Sequence, residues 1–500
     1  MQILQALKYY FGHTNFRGIQ GQVVERILAG RHCLVVMPTG AGKSLCYQLP
    51  AVVLHNRLGQ GSELNLPKDN SSKPPLTLVI SPLISLMKDQ VDALNNKGIA
   101  ATFVNSSLDR RQRQDRYQQL RKGHFAILYV TPERFRKSEF REILAHRQII
   151  LLAVDEAHCI SQWGHDFRPD YTCVGEFRRA LGDPVTIALT ATATGEVQRD
   201  IANSLELGEL DPKAEAECQL FHTGIARPNL SLNVETVWGD DEKLDKICEE
   251  LEYWKNDPSN NGIVYFTLIR TLERFSELLR RRKVPHLVYH GDLPRGLRRR
   301  AQEEFIEGAN VLVLATNAFG MGVDKPNIRF VMHAEVPNSV ESYYQEIGRA
   351  GRDGLPSRCV LLYDSDDLTT QMEFIRWSNP DTDFYQRTYD LIEDNLDAVR
   401  AFGYSWLHEK LCHKQRHDRR LDTVCRCSSV MSVRKRRAAV GHLGRRRLEQ
   451  TTALESFPDE LVDRDRLNEK LVRDQKKLLA MVQYVQAEDR IDFLEQYFKF

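Results

Sequence analysis

Leu34-Val-Val-Met-Pro-Thr-Gly-Ala-Gly-Lys-Ser44 is an aliphatic run that breaks into a glycine-bearing turn and ends on Lys-Ser, with a helix-like stretch behind it. A strand that enters a helix through such a turn has one well-understood use. Gly40 and Gly42 let the backbone N–H groups from Thr39 through Ala41 to Ser44 close around phosphate oxygens at the positive end of the helix. Lys43 can then reach the terminal phosphates of a nucleotide, and Ser44 can ligate Mg²⁺. The alternative is a glycine-rich turn with no ligand. The Lys-Ser pair directly after the glycines, and the strand before them, argue against it.

Outward from that turn, short apolar runs alternate with helix-like stretches. The first half holds Leu34–Met37, Leu76–Ile80, Ala126–Val130, Ile149–Val154 and Val185–Leu189. The second holds Gly262–Phe266, Leu287–Tyr289, Val311–Leu314, Phe330–Met332 and Cys359–Tyr363. Continuous apolar strands between helices indicate parallel sheets covered on both faces. The pattern predicts two doubly wound α/β domains, over 1–207 and 208–365, joined near Gly208 to Arg227, with the crevice between them as the active site. Residues 56–75 read as a polar surface insertion. From 366 to 500 the alternation stops and a mainly helical region is expected, with helices over 384–424 and 460–498.

Five hundred residues, 42% hydrophobic and 27% charged, suit a globular protein of roughly three or four domains. No apolar run is long enough to span a bilayer, and Met1-Gln-Ile-Leu-Gln-Ala-Leu-Lys8 has no signal-peptide pattern. Ten scattered cysteines suit a reducing cytosol. The net charge of +1 hides an asymmetry: residues 425–448 carry eight Arg or Lys and no acid, leaving 61 basic against 68 acidic residues elsewhere. A polyanionic partner must therefore be held by local patches.

The fourth run ends in Asp155-Glu-Ala-His158. A carboxylate at the end of a strand beside a phosphate-binding turn can hold Mg²⁺, the role assigned to Asp155, and Glu156 can polarise the attacking water. Alone, such an acidic pair could simply cap a helix. Together with Met37-Pro-Thr-Gly-Ala-Gly-Lys-Ser44 it resembles the P-loop and DEAH box of superfamily 2 helicases. The loop Ser161-Gln-Trp-Gly-His-Asp-Phe-Arg-Pro-Asp-Tyr171 resembles the aromatic-rich loop of RecQ-family DNA helicases. Further matches follow in that family's order: Phe16-Arg-Gly-Ile-Gln20, Ser81–Gln90, Tyr129–Glu133, Leu189-Thr-Ala-Thr-Ala193, Arg227-Pro-Asn-Leu230, Tyr289-His-Gly291, Ala315–Asp324 and Gln345–Gly354. Met37 stands where the general P-loop pattern has glycine, a variant that helicases share.

The resemblance covers residues 1–365 densely. It implies tandem RecA-like domains and an ATP-dependent 3′-to-5′ DNA helicase acting in recombination and repair. Gln20 would recognise adenine through the donor and acceptor of its amide, with His13 and Arg17 stacked on the base. Without its neighbours Gln20 reads as a solvated helix residue. Arg349 and Arg352 would deliver guanidinium groups to the transferring phosphoryl; salt bridging or nucleic-acid contact is the alternative. Trp163, Phe167 and Tyr171 would stack on unpaired bases and Arg168 would contact phosphate, unless the aromatics are core. Thr316 and Asn317, with Ser81–Gln90 and Tyr129–Glu133, would line the DNA backbone path. Thr190 and Thr192 would link ATP state to domain closure. Single-stranded and forked DNA and other repair proteins are the implied partners. The implied location is the nucleoid-associated cytoplasm of a prokaryote or the nucleus of a eukaryote.

In the tail the resemblance thins. Asp489 stands where the family's zinc-binding region has its first cysteine, and no terminal cysteine cluster follows, so a family-type zinc site is not expected. Nor are winged-helix and HRDC modules, and unwinding weaker than in a fuller relative is the corresponding expectation. Cys412, His413, His417, Cys425 and Cys427 lack the usual Cys-x-x-Cys pairs of a zinc site. The 425–448 stretch reads either as a basic arm on nucleic-acid phosphates or as a poorly ordered segment produced by a sequencing or reading-frame accident. Three functional rivals remain: an RNA helicase, a duplex translocase that separates no strands, and a binding protein without turnover.

Overall fold

The computed structural model describes residues 2–59, 73–162, 164, 166–257, 260–320, 323–412, 419–426, 432–433, 451–452 and 463–499. The chain divides into two compact units. The first comprises Met1–Glu335, Val340–Leu362 and Gln486–Phe500, and the second Val336–Ser339 and Tyr363–Val485.

The first unit carries two sheets. One is built from β1 (His32–Val36), β2 (Pro75–Ile80), β3 (Ala101–Val104), β4 (Ile127–Val130), β5 (Gln148–Val154), β6 (Val185–Thr190), β7 (Leu210–Asp211) and β8 (Cys218–His222), in the order β3-β4-β2-β5-β6-β1-β8-β7. Every pairing in it is parallel. Parallel strands need crossovers, and the helices that make them bury both faces. β1 shows this residue by residue: Cys33 and Val35 enter one apolar cluster, while Leu34 and Val36 enter the other.

The second sheet uses β9 (Leu230–Thr236), β10 (Asn261–Tyr265), β11 (Leu287–Tyr289), β12 (Leu312–Ala315), β13 (Ile328–His333) and β14 (Ser357–Tyr363), in the order β11-β12-β10-β13-β14-β9. Its four central pairings are parallel. The ten apolar runs read from the sequence all lie on strands, and both sheets are of the expected RecA-like kind.

Four described strands of these two sheets were not legible as runs. Ala101–Val104 is a short edge strand, and Leu230–Thr236 alternates polar and apolar residues at the opposite kind of edge. The other two correct the expected join at 208–227: residues 210–211 and 218–222 belong to the first sheet, where β8 pairs with β1 along its length. The cause is a contact between distant residues. The Arg26 guanidinium donates to the carbonyls of His32, Ala214, Ala216 and Glu217, holding that polar segment against the sheet.

His32, at the start of β1, makes the first sheet sensitive to acid. Its Nδ1 accepts the Thr186 N–H at 3.0 Å, and its Nε2 stands 3.2 Å from the Arg178 guanidinium. Burial, then Arg178 and Arg26, depress its pKa to about 4. The unfolded chain then takes up this proton first. Stability is complete above about pH 6.5 and is lost as pH falls from there toward 4. Between pH 7 and 5 the loss from His32 is about 2 kcal/mol. Urea unfolding of the first sheet should show it, and His32→Asn should remove it; an identical pH slope in the variant would contradict the assignment.

The second unit is mainly helical in its described parts, with helices Asp366–Ser378, Thr382–Asp394, Leu396–Leu411, Arg420–Arg426 and Arg464–Gln486, the last ending at the unit boundary, and one short antiparallel pair, Ser432–Val433 with Thr451–Thr452. Phe384, Ile392, Val399, Leu407, Leu421 and Val424 form its core. The helices expected over 384–424 and 460–498 are thus present within the described residues, in shorter pieces. Most of 425–448 lies outside the described residues, as do residues 60–72 of the expected insertion and His413, His417 and Cys427. Asp489 caps the helix Arg490–Tyr497 in the first unit, accepting from the N–H groups of Ile491 at 2.9 Å and Asp492 at 3.0 Å. Among the described residues, no helix is long and apolar enough to cross a membrane.

Candidate active site

β1 delivers its chain to the glycine turn, where Met37 N–H still bonds Thr190 O of β6 at 3.1 Å. Gly40 (φ +83°) and Gly42 (φ +82°) take left-handed conformations that a side chain resists. The turn then enters the helix Leu45–Gly59. Lys43 curls over the turn, its Nζ donating to Met37 O at 3.0 Å and Pro38 O at 3.3 Å. Burial pulls its pKa down, while Glu156 and Asp155 oppose that shift. The ammonium is thus held over the mouth of the turn by carbonyls that a phosphate can replace.

Gln20 is buried, and both ends of its amide are in use: Oε1 accepts Arg17 N–H at 2.9 Å, and Nε2 donates to Ala41 O at 3.1 Å and Gly42 O at 3.2 Å. The amide expected to read adenine is tied here to the glycine turn. His13, Arg17 and Gln20 do come together with Ser44, around a cavity of about 340 Å³. The His13 and Arg17 side chains are exposed.

Asp155 and Glu156 follow β5. The Asp155 carboxylate accepts from Ser81 Oγ at 3.5 Å, and burial, reinforced by Glu156, raises its pKa to about 7. Glu156 is left-handed (φ +49°, ψ +48°), an uncommon state for a side-chain-bearing residue. Its Oε2 is buried, makes no hydrogen bond among the described residues, and stands 3.4 Å from His158 Nδ1. His158 Nδ1 also lies 3.0 Å from Thr190 Oγ1, and Thr190 Oγ1 accepts Thr192 N–H at 3.2 Å. The hydrogen-bonded chain from His158 to the Thr-Ala-Thr turn after β6 therefore runs directly beside Glu156.

The second sheet sends its arginines to the same place. Arg352 is one-tenth exposed, and a methyl group built on Gly40 would stand 3.2 Å from its Cγ. Its guanidinium donates to Asp324 Oδ1 at 2.7 Å and Val323 O at 3.2 Å. Arg349 is buried and donates to Gly320 O. The Nε atoms of both arginines have no hydrogen-bond partner among the described residues. A cavity of about 330 Å³ opens here, lined by Pro38, Thr39, Gly40, Arg227 and Arg352 among others. These residues fit a magnesium-bound triphosphate: hard oxygen donors on Ser44 and Asp155, a glycine cradle, and cationic groups with unused donors.

Sequence reasoning gave no role to Arg227 and Asn229. Arg227 donates to Ala350 O at 2.9 Å and Gly351 O at 2.8 Å, and Asn229 donates to Gly351 O at 2.8 Å and Leu355 O at 3.0 Å. They shape the arginine loop. The Arg-Pro-Asn-Leu motif was the available signal, but its partners lie over 120 residues away.

The expected nucleic-acid residues are less uniform. Trp163 and His165 lie outside the described residues. Phe167 and Arg168 are half-buried; Arg168 pairs with Asp166 at 2.8 Å and reaches Pro82 O at 3.4 Å. Tyr171 corrects the stacking expectation. It is fully buried in the apolar core under the acidic pair, its hydroxyl donating to Asp155 O at 3.4 Å, so its ring offers no face to a base. Tyr129 is likewise core, against Tyr47. Thr316 is buried and Asn317 exposed.

Two parallel sheets, with the glycine turn at the end of a strand in one and paired arginines from the other turned toward it, define a P-loop protein of the tandem RecA-like class. The DEAD/DEAH box helicase family matches residues 17–201, and the helicase conserved C-terminal domain matches 242–354. The chain belongs to the RecQ family. It is 42% identical over 374 residues to the ATP-dependent DNA helicase RecQ of Bacillus subtilis, covering 74% of this chain and 58% of that one. It is 38% identical over 378 residues to the probable ATP-dependent DNA helicase RecS of the same organism, covering 75% and 69%. It spans 59% of the Haemophilus influenzae RecQ, at 39% identity over 80% of this chain, so the first relatives extend well beyond the matched part. Among solved structures, S. cerevisiae Dbp5 bound to RNA and ADP BeF3 superposes with a TM-score of 0.55 at 16% identity, over 74% of this chain and 90% of that one. Mycobacterium smegmatis Lhr bound to ssDNA and AMP-PNP gives 0.54 at 19% identity, over 83% and 55%. At these identities the likeness is one of fold.

Proposed function

We propose that this chain is an ATP-dependent DNA helicase that moves 3′ to 5′ on single-stranded DNA and separates duplexes, in recombination and repair. One observation carries the reading: Arg352, from the second sheet, stands against Gly40 of the first sheet's glycine turn. A triphosphate between them is held from both lobes, so its hydrolysis changes how the lobes grip each other. The RecQ and RecS relatives, named as DNA helicases, favour DNA over RNA as the partner.

In this reading the backbone from Thr39 to Ser44 binds the phosphates and Lys43 exchanges its carbonyl partners for phosphate oxygens. Gln20, His13 and Arg17 hold the adenine. Ser44 and Asp155 hold magnesium, which neutralises phosphate charge when bound. Glu156 orients and deprotonates the attacking water. Arg352 and Arg349 stabilise charge on the phosphoryl oxygens. Trp163, Phe167, Arg168, Thr316 and Asn317 contact the strand. The lobes are the parts expected over 1–207 and 208–365 with the join moved past His222, and the helical region from Tyr363 to Val485 is outside the motor.

ATP turnover with and without single-stranded DNA tests this directly. DNA should raise the rate, and Lys43→Ala should lower it at least about a hundredfold, since charge-stabilising contacts to the phosphates carry most of this catalysis. A rate that ignores DNA, or survives the substitution, removes the motor reading.

A further inference from the structure

The helix Val340–Ile347 ends two residues before Arg349, so any shift along its axis moves both arginines. On its sheet side it is fixed by polar and ring contacts. Glu346 Oε2 lies 2.7 Å from His333 Nε2, and the Tyr343 ring packs 5.0 Å from the His333 ring. Its other side is held by the chain's terminal segment. Tyr497 OH donates to Glu341 Oε1 at 2.9 Å, and the Phe498 ring lies 5.2 Å from the Tyr344 ring. Tyr344 OH in turn donates to Ile225 O at 2.8 Å, two residues before Arg227, which grips the arginine loop.

Two features make this more than incidental packing. Glu341 is 4% exposed, and its Oε2 makes no hydrogen bond among the described residues. A buried carboxylate is costly unless it is hydrogen-bonded, so the Tyr497 hydroxyl matters to where this helix can sit. Burial raises the Tyr497 pKa, which keeps the hydroxyl a donor. Phe498 is 1% exposed and Leu494 2%, so the terminal helix Arg490–Tyr497 is seated through its apolar face.

We infer that Tyr497 and Phe498 are positioning residues for the arginine loop: the terminal helix sets the register of Val340–Ile347, and through it the place of Arg349 and Arg352. The inference rests on the motor reading above. It separates two tasks. The first lobe binds ATP without the terminal helix, but the arginines reach their working position with its help.

The experiment compares full-length Tyr497→Phe and Phe498→Ala with the parent in DNA-stimulated ATP turnover and thermal melting. Displacement of a catalytic group by an ångström costs up to about a hundredfold, so kcat should fall roughly tenfold or more. KM for ATP should stay within about twofold, because uniform binding is untouched. Glu341→Met added to Tyr497→Phe removes the stranded carboxylate and should restore kcat, a rescue that loss of folding would not show. Unchanged kcat in both variants overturns the inference. So does a kcat loss that tracks a rise in KM or a drop in melting temperature, or one that Glu341→Met fails to restore. A parent protein with no DNA-stimulated turnover defeats the motor reading itself, and this inference with it.

Discussion

Arg352→Ala should lower DNA-stimulated ATP turnover about a thousandfold, the lower end of the range for an arginine that stabilises phosphoryl transfer, while nucleotide affinity changes little. The side chain lies beside Gly40 and is one-tenth exposed, and its Nε has no hydrogen-bond partner among the described residues. Desolvation lowers its pKa, but Asp324 opposes that, and an arginine keeps its charge in either case. Its present hydrogen bonds go to Asp324 and Val323 of its own lobe. The substitution therefore removes a charge aimed across the crevice without emptying the first lobe's phosphate cradle. Arg352→Lys should recover little, because an ammonium lacks the planar fork of donors. Single-turnover hydrolysis and equilibrium binding of a fluorescent ATP analogue separate the two effects. Affinity that collapses while turnover survives would falsify the assignment and return Arg352 to a structural role.

Glu156 should show stability and activity moving in opposite directions. Its left-handed backbone costs a side-chain-bearing residue about 1–2 kcal/mol. Glu156→Gly relieves that strain, less the added freedom of glycine in the unfolded chain. The variant should melt at the parent's temperature or above it. Its ATP turnover should fall at least about a hundredfold, the usual contribution of a positioned general base. Glu156→Gln keeps the side-chain shape, should lose activity similarly, and should still bind nucleotide. A glycine variant that melts early and still hydrolyses ATP would show that the strained conformation serves the fold.

The glycine turn was legible because its chemistry is local: two glycines, a lysine and a serine within five residues, behind an apolar strand. The acidic pair was legible for the same reason. Arg227 and Asn229 were not, because their work is to hold carbonyls of the arginine loop more than a hundred residues on. Tyr171 was misread because an aromatic in a polar loop looks available, whereas the chain folds its ring under Asp155. The join near 208–227 was misplaced because Arg26 recruits a polar segment to the sheet edge, and neither partner announces the other.

Local pattern alone determined that this chain would build two parallel sheets with a phosphate turn on the first, since strand periodicity and turn chemistry act over a few residues. Which side chains meet was decided by tertiary structure: Arg352 against Gly40, Gln20 on the carbonyls of Ala41 and Gly42, and Tyr497 on Glu341. Those pairings join residues far apart in the chain, and such contacts exist only once the apolar faces of both sheets have been buried and the loops have nowhere else to go.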